Sequence, residues 1–452
     1  MKKLLAALII AGALAIPAAA AGPPTTTRVS VSTAGDQADR DTYTAGVSAN
    51  GRYVLLNSQA TNLVPGDTND RWDVFVRDRS SGVTTRVSVS TGGEQAKPTD
   101  DPWGGSTAGA ISANGRYVVF QSDAPNLVPG DTNRAEDVFL HDLASGVTTR
   151  VSVNSARREA NGSSWMPTIS ADGRYVAFAS DATNLVRHDT NRFGDIFVRD
   201  LATAKTTRVN LTSQGRQARC NISGCQSGEP ALSAHGRYVA FDSSATNLVQ
   251  HDTNRLNDVF VRDRRAGRTT RVSVDSHGHQ GGGDHTMNGS NAPVISANGR
   301  YVAFHSADSN LVSGDTNRVF DIFVRDRRTG HTTRVSVSTR GAQANQESLG
   351  APSISADGRY VAFTSLASNL VAGDTNDITD VFVHNLATGE TLLASLGQDG
   401  NQGDDSSATG DIAFSANDHM LVFSSWAANL VGGDTNDVPD AFVRDFGGRP
   451  GS

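Results

Sequence analysis

Ile169-Ser-Ala-Asp-Gly-Arg-Tyr-Val-Ala-Phe178, followed by Asn184-Leu-Val186, Asp189-Thr-Asn191, Asp195-Ile-Phe-Val-Arg-Asp200 and Thr206-Thr-Arg-Val209, is one copy of a unit that the chain carries seven times. The turn glycines fall at Gly51, Gly115, Gly173, Gly236, Gly299 and Gly358, and successive subtraction gives spacings of 64, 58, 63, 63 and 59. A seventh copy keeps the frame at Phe414-Ser-Ala416, puts Asp418 where the glycine stood, and stops at Asp440-Ala-Phe-Val-Arg-Asp445. It never reaches a Thr-Thr-Arg-Val segment. That segment stands before the first copy, as Thr26-Thr-Arg-Val-Ser-Val-Ser32. A repeat whose last strand has moved to the front is what ring closure requires, because the N-terminal strand then completes the final blade and leaves no edge open to aggregation. The reading is an all-β, seven-bladed β-propeller with four-stranded antiparallel blades, the N-terminal strand closing the last one.

Each unit offers four strand-like segments. A short first segment ends at Ile111-Ser112, and Arg116 to Phe120 is an almost continuous apolar run that suits an interior strand. Asp137 to Leu140 is the third segment, and Thr148 to Val153 alternates like an outer strand with one wet face. Ala113-Asn-Gly-Arg116 and Leu143-Ala-Ser-Gly146 are short turns. Since strands alternate in direction, the two short turns share one rim. The Asn-Leu-Val…Asp-Thr-Asn loop and the variable link between units share the other. Long loops on a rigid scaffold are where binding resides, so function is expected on that rim or at the mouth of the channel.

Met1-Lys-Lys3, an apolar stretch from Leu4 to Ile16 and Pro17-Ala-Ala-Ala-Ala-Gly22 together read as a secretory signal peptide spanning residues 1–21. The expected organisation is then a single propeller over 22–446 and a short tail over 447–452, in a secreted or periplasmic protein with no membrane span. The net charge of −7 and the scarcity of lysine argue against nucleic acid as a partner. Cys220 and Cys225, the two cysteines of the chain, sit close together in one loop and are expected to form a disulfide in an exported protein.

Ser170-Ala-Asp-Gly-Arg-Tyr-Val-Ala-Phe178 with Asp195-Ile-Phe-Val-Arg-Asp200 resembles the repeat of TolB-like propellers, a group loosely related to WD-repeat propellers. That repeat reads Ser-Pro-Asp-Gly-Lys/Arg, an apolar strand, then Asp-Ile-Tyr-Val. The resemblance covers all seven units and implies a non-catalytic binding scaffold. Two departures stand out: Ala replaces Pro in the turn, and the Asn-Leu-Val…Asp-Thr-Asn loop is inserted.

The most regular polar pattern is Asp-x-Asn-x-x-x-Asp. It occurs at Asp67/Asn69/Asp73, Asp131/Asn133/Asp137, Asp189/Asn191/Asp195, Asp252/Asn254/Asp258, Asp315/Asn317/Asp321, Asp374/Asn376/Asp380 and Asp434/Asn436/Asp440. Alternate oxygens on a loop can wrap Ca²⁺, although the bidentate Glu of an EF-hand loop is missing. The competing reading is structural: Asx turns, with the last Asp accepting from backbone donors at the start of strand three. Among unrepeated residues, His277, His279 and His285 form an alternative metal cluster, set against a solvated Gly-rich loop. Trp72, Trp103, Trp165 and Trp426 also break the repeat and are candidate ligand anchors on the long-loop rim, set against a role in pinning their own loops. No Gly-x-Ser-x-Gly elbow occurs; Gly104-Gly-Ser-Thr-Ala108 comes nearest. The functional expectation is a monomeric, non-catalytic propeller that recognises a protein or polysaccharide partner through the long-loop rim. The alternative is a polysaccharide-active lyase or hydrolase with a metal-assisted site on that rim. Unrepeated acidic or His clusters facing the channel would favour the enzyme.

Overall fold

A computed structural model describes residues 22–101, 104–219, 226–282, 289–407 and 410–451. Residues 1–21, read above as a signal peptide, together with Cys220, Cys225, Trp103 and His285, lie outside them. Seven four-stranded antiparallel sheets follow one another, and blades one to seven begin at Thr42, Ser106, Ser164, Ser227, Ser290, Ser348 and Ala413. The first strands of neighbouring blades touch one another all the way round, so they line the central channel. Among the described residues no helix is long and apolar enough to cross a membrane.

The ring closes as the displaced repeat predicts. Thr25–Arg28 pairs with strand three of blade seven in the register Thr25↔Asp445, Thr26↔Arg444, Thr27↔Val443 and Arg28↔Phe442. The expected outer strand is shorter than the alternating pattern suggests. In blade two it is Val147–Arg150, because Val153 N–H donates to the Val151 carbonyl at 2.7 Å and folds the chain into a hairpin bridged by Val153 and Glu159. Such a hairpin recurs after every outer strand and packs on the next blade. There the first Thr of Thr-Thr-Arg donates its hydroxyl to a link carbonyl: Thr84 to Val31 at 2.6 Å, Thr206 to Val153 at 2.6 Å, Thr332 to Val274 at 2.6 Å. Thr26 makes the same bond to Leu396 at 2.5 Å, so the closing seam is built like the others.

The apolar runs have a direct cause. Strands two and three are covered on both faces by adjacent blades. Val138 and Leu140 pack toward Phe178 and Phe197 of blade three, while Phe139 packs toward Leu55 and Val76 of blade one. Six blades stack a Phe of strand two on a Phe of strand three, as in Phe120–Phe139 at 5.6 Å and Phe178–Phe197 at 5.9 Å. Each fully buried Phe contributes about 1.5–3 kcal/mol.

Backbone hydrogen bonds cross from blade to blade on both rims. On the short-turn rim Ala49 N–H donates to Ala113 O at 2.9 Å, Ala113 to Ala171 at 3.1 Å, Ala234 to Ala297 at 2.9 Å, Ala297 to Ala356 at 3.1 Å and Ala416 to Ala49 at 3.0 Å. Proline has no N–H and could not donate as Ala49, Ala113, Ala234, Ala297 and Ala416 do here. The turn glycine is required twice over: Gly173 has φ +72° and a Cβ there would lie 2.7 Å from Tyr117 of the previous blade. Asp418 adopts φ +63° in the seventh copy. On the long-loop rim the residue before strand three presents its carbonyl to the opening residue of the next blade, from Trp72 O accepting from Ser106 N at 2.8 Å to Pro439 O accepting from Thr42 N at 3.0 Å.

Candidate functional site

Six of the Asp-x-Asn-x-x-x-Asp loops enclose a guanidinium. Strand register puts the Arg of Thr-Thr-Arg beside both carboxylates: Arg208 lies 2.9 Å from Asp189 and 2.8 Å from Asp195, and Arg150 lies 3.2 Å from Asp131 and 3.0 Å from Asp137. Arg86 does the same for Asp67 and Asp73, and Arg271 for Asp252 and Asp258. Arg334 sits between Asp315 and Asp321, and Arg28 between Asp434 and Asp440. Blade six departs, since Leu393 stands at the arginine position and Gln402 Nε2 spans Asp374 at 2.8 Å and Asp380 at 2.7 Å.

The asparagines of these loops turn their amide nitrogens toward the second Asp. Asn69, Asn133, Asn254 and Asn317 each donate through Nδ2 to the second Asp of their own loop, at 2.9, 2.9, 3.1 and 2.9 Å. Asn191 and Asn436 do likewise, at 3.0 Å to Asp195 and 3.2 Å to Asp440. The same nitrogen ties down the following link: Asn69 donates to Ala96 O at 3.2 Å, Asn254 to Gly281 O at 3.0 Å and Asn317 to Ala344 O at 3.1 Å. Asn376 reaches Gly403 O at 3.1 Å and Asn436 reaches Ala38 O at 2.9 Å. An amide can coordinate a hard cation only through its oxygen. In Asn69, Asn133, Asn254 and Asn376 that oxygen instead accepts a backbone N–H two residues on, closing an Asx turn. The second Asp accepts from side chains rather than from backbone donors, as where Ser152 Oγ and Asn133 Nδ2 both reach Asp137. In six of the seven loops an arginine thus places a positive charge beside both carboxylates.

His277 and His279 sit on the perimeter hairpin after blade four, bridged by Val274 and Gln280. The Asp275 carboxylate accepts from the backbone N–H of both at 2.8 Å and lies 2.8 Å from His279 Nδ1. Ser32 and Asn154 play the same turn-closing part in other links. Asp275, His277 and His279 are the one group of three donors within reach of a single ion among the described residues, and they are remote from the channel.

The three described tryptophans all lie toward the long-loop rim, in different settings. Trp72 stacks on Tyr43 at 5.6 Å and is tied by its backbone to blade two. Trp165 belongs to the first strand of blade three, Ser164–Ile169, rather than to the link, and packs over Gly194. Trp426 is 41% exposed.

An asymmetric polar cluster that sequence reading missed stands at the long-loop mouth of the channel. Its positions are repeated although its residues are not. The fifth residue of strand two is Asn57, Gln121, Ala179, Asp242, His305, Thr364 or Ser424, and the residue before strand three is Trp72, Glu136, Gly194, Asn257, Phe320, Thr379 or Pro439. The first strands bulge here, and Met166 (φ +51°), Glu229 (φ +46°) and Ala292 (φ +50°) take left-handed backbone. Such strain costs about 1–3 kcal/mol per residue and concentrates at functional sites. Variable side chains satisfy bulge donors on the next blade: Ala108 N donates to Asn57 Oδ1 at 2.6 Å, Met166 N to Gln121 Oε1 at 2.7 Å and Ala292 N to Glu229 Oε2 at 2.6 Å.

Four carboxylates of the mouth are displaced upward. Burial lifts Glu136 to about 7, against a hydrogen bond from Gln121. Burial and then the Glu229 charge lift Asp242 to about 6, despite the Asn257 amide. Burial, helped by Asp411, raises Glu229 against the Ala292 N–H. Desolvation by the surrounding protein lifts Asp411 to about 6. His305 Nδ1 lies 3.0 Å from the Gly350 carbonyl, which only accepts, so Nδ1 carries the proton. Burial lowers the His305 pKa and keeps the ring neutral, with Nε2 as a free lone pair. The mouth therefore combines hydroxyl-accepting carboxylates, amides and a neutral imidazole with the Tyr43–Trp72 stack. These channel carboxylates do not converge on one ion.

No family model matches the chain. It is 27% identical over 138 residues to dipeptidyl-peptidase 5 of Porphyromonas gingivalis, a match covering 30% of this chain and 19% of that protein. It is 34% identical over 119 residues to a probable dipeptidyl-peptidase 5 of Aspergillus niger, covering 25% and 15%. The chain thus spans under a fifth of the length of these curated relatives. Among solved structures it is similar to an oligogalacturonate lyase in complex with manganese (TM-score 0.52, 13% identity, 94% of this chain and 96% of that one). TolB from Acinetobacter baumannii is also similar, at TM-score 0.40 and 14% identity over 78% of this chain and 63% of that one. At these identities the structural likeness is one of β-propeller fold.

Proposed function

We propose that this propeller is an exported protein that binds a polyhydroxylated ligand, a glycan, at the long-loop mouth of its channel. One observation carries the reading: a scaffold repeated in backbone and core becomes unrepeated where strand two and strand three open onto the mouth. Carboxylates and amides accept and donate to vicinal hydroxyls, and aromatic rings cover the apolar face of a sugar. Trp426, exposed on the same rim, is available to extend that contact.

A second reading is acid–base chemistry on the same ligand. It is favoured by the neutral His305 and by carboxyls near 6 and 7, values suited to proton transfer close to neutral pH. Titration of the intact protein with cell-wall and plant polysaccharides, scored for both binding and cleavage, separates the two. Binding without turnover that Asp242→Asn or Glu229→Gln weakens at least tenfold supports the binder. Turnover abolished by His305→Ala supports the enzyme. Full binding in both carboxylate variants would remove the mouth from consideration.

A further inference from the structure

On the short-turn rim, two positions at the perimeter of each seam are left free by the fold. One is the residue after strand three, whose backbone N–H donates to the carbonyl of the turn arginine whether it is Arg264, donating to Arg237, or Leu201, donating to Arg174, both at 2.9 Å. Blades two, three and six place Leu143, Leu201 and Leu386 there, so the fold does not need a charge. The other is the opening residue of strand four on the preceding blade, which is Val83 in blade one and Val147 in blade two. In the two seams that flank blade four both positions turn basic together: Lys205 with Arg264, and Arg268 with Arg327.

Each of these seams is an open cleft, of ≈ 280 Å³ with Lys205, Arg262 and Arg264 and of ≈ 430 Å³ with Arg268, Arg325 and Arg327. The guanidiniums are fixed by neutral partners. Arg264 donates to Gly236 O at 2.6 Å and lies 4.6 Å over the Tyr175 ring; Arg262 donates to Thr212 O at 2.9 Å. Arg327 donates to Gly299 O and lies 4.5 Å over Tyr238, and Arg325 donates to Asp275 O at 2.7 Å. The carboxylates lining the clefts, Asp200 and Asp263, are taken by two hydrogen bonds each from Arg174 and Arg237. Carbonyls and ring faces orient a guanidinium without neutralising it, and a preorganised, partly desolvated guanidinium pair is a strong acceptor site for an oxyanion.

The geometry points to two oxyanion-binding clefts on the short-turn rim, one in each seam flanking blade four, that take a phosphate, sulfate or carboxylate group. The site lies on the face opposite the channel mouth and is independent of glycan binding there. The test is calorimetric titration of the intact protein at low ionic strength with inorganic phosphate, with sulfate and with acetate, which separates the three sources. Saturable binding is expected for at least one of them. Arg264→Leu/Arg327→Leu, which installs the residue that three blades already carry, should lower that affinity at least tenfold. Lys205→Val/Arg268→Val alters exposed side chains only and should weaken it several-fold without affecting folding. Absence of saturable binding by all three anions, or affinity unchanged in the Lys205/Arg268 variant, overturns the assignment.

Discussion

Replacing Arg208 with Leu removes the guanidinium from between Asp189 and Asp195, where it sits 2.9 and 2.8 Å from their oxygens and is itself 9% exposed. Stripping one partner from a buried ion pair costs about 3–5 kcal/mol, because the remaining charge is left uncompensated. Blade six shows how the chain survives without it: Gln402 bridges the equivalent carboxylates at 2.8 and 2.7 Å. Blade three has the same glutamine, Gln217, now donating to Thr190 Oγ1 at 2.7 Å and free to turn inward. A hydrogen bond to a charged group is worth about 1.5–3 kcal/mol, so Arg208→Leu alone should cost roughly 1–3 kcal/mol. Adding Gln217→Ala should restore the full penalty. The pH dependence has a definite sign. Burial, and next the Asp195 charge, already hold the Asp189 pKa above its ordinary value, and Arg208 opposes them. Without Arg208 the folded pKa rises further. A carboxyl with a raised folded pKa loses stability as pH climbs from its unfolded value through the folded one, so the deficit should be smaller at an acidic pH near the unfolded value than at neutral pH. Urea unfolding followed by tryptophan fluorescence at both pH values measures it. Equal deficits at the two pH values, or no added cost from Gln217→Ala, would refute the account.

Deleting residues 22–33 should expose the edge of Asp440–Asp445 and lower the melting temperature sharply, whereas a truncated protein that melts with the intact one would rule out closure. Because an arginine already lies between the two carboxylates in six of the seven acidic loops, millimolar Ca²⁺ and EDTA should leave the melting temperature of the intact protein unchanged; a clear Ca²⁺-dependent rise would support the calcium reading instead. Ala297→Pro should remove the 3.1 Å bond to Ala356 and cost about 1 kcal/mol in chemical denaturation, and a neutral result would show that this bond contributes nothing.

Repeat number, blade content and closure were legible in the sequence because each rests on local patterns that recur in register. Tyr-Val-Ala-Phe is apolar because both faces of its strand are covered, Gly173 is glycine because its turn is left-handed and crowded by Tyr117, and Thr26-Thr-Arg-Val is recognisable by comparison with Thr206-Thr-Arg-Val. The partner of the acidic loops was not legible. Asp195 and Arg208 are 13 residues apart, and only the pairing of Phe197 with Arg208 across adjacent strands brings the guanidinium between the carboxylates. Nor does the spacing of Asn69 or Asn254 tell which end of the amide faces the carboxylate; the link carbonyls of Ala96 and Gly281 settle that. The channel mouth was hidden for a related reason. Asp242, His305 and Glu136 occupy positions that look like noise in an otherwise regular repeat, and the variable fifth residue of strand two was the available signal. Short-range patterns of burial and turn chemistry thus set the unit, its count and its closure, and all three can be read along the chain. Which side chains meet follows from the tertiary structure, because strand pairing within a blade and the closing of seven blades around a common axis make neighbours of residues that the sequence keeps apart.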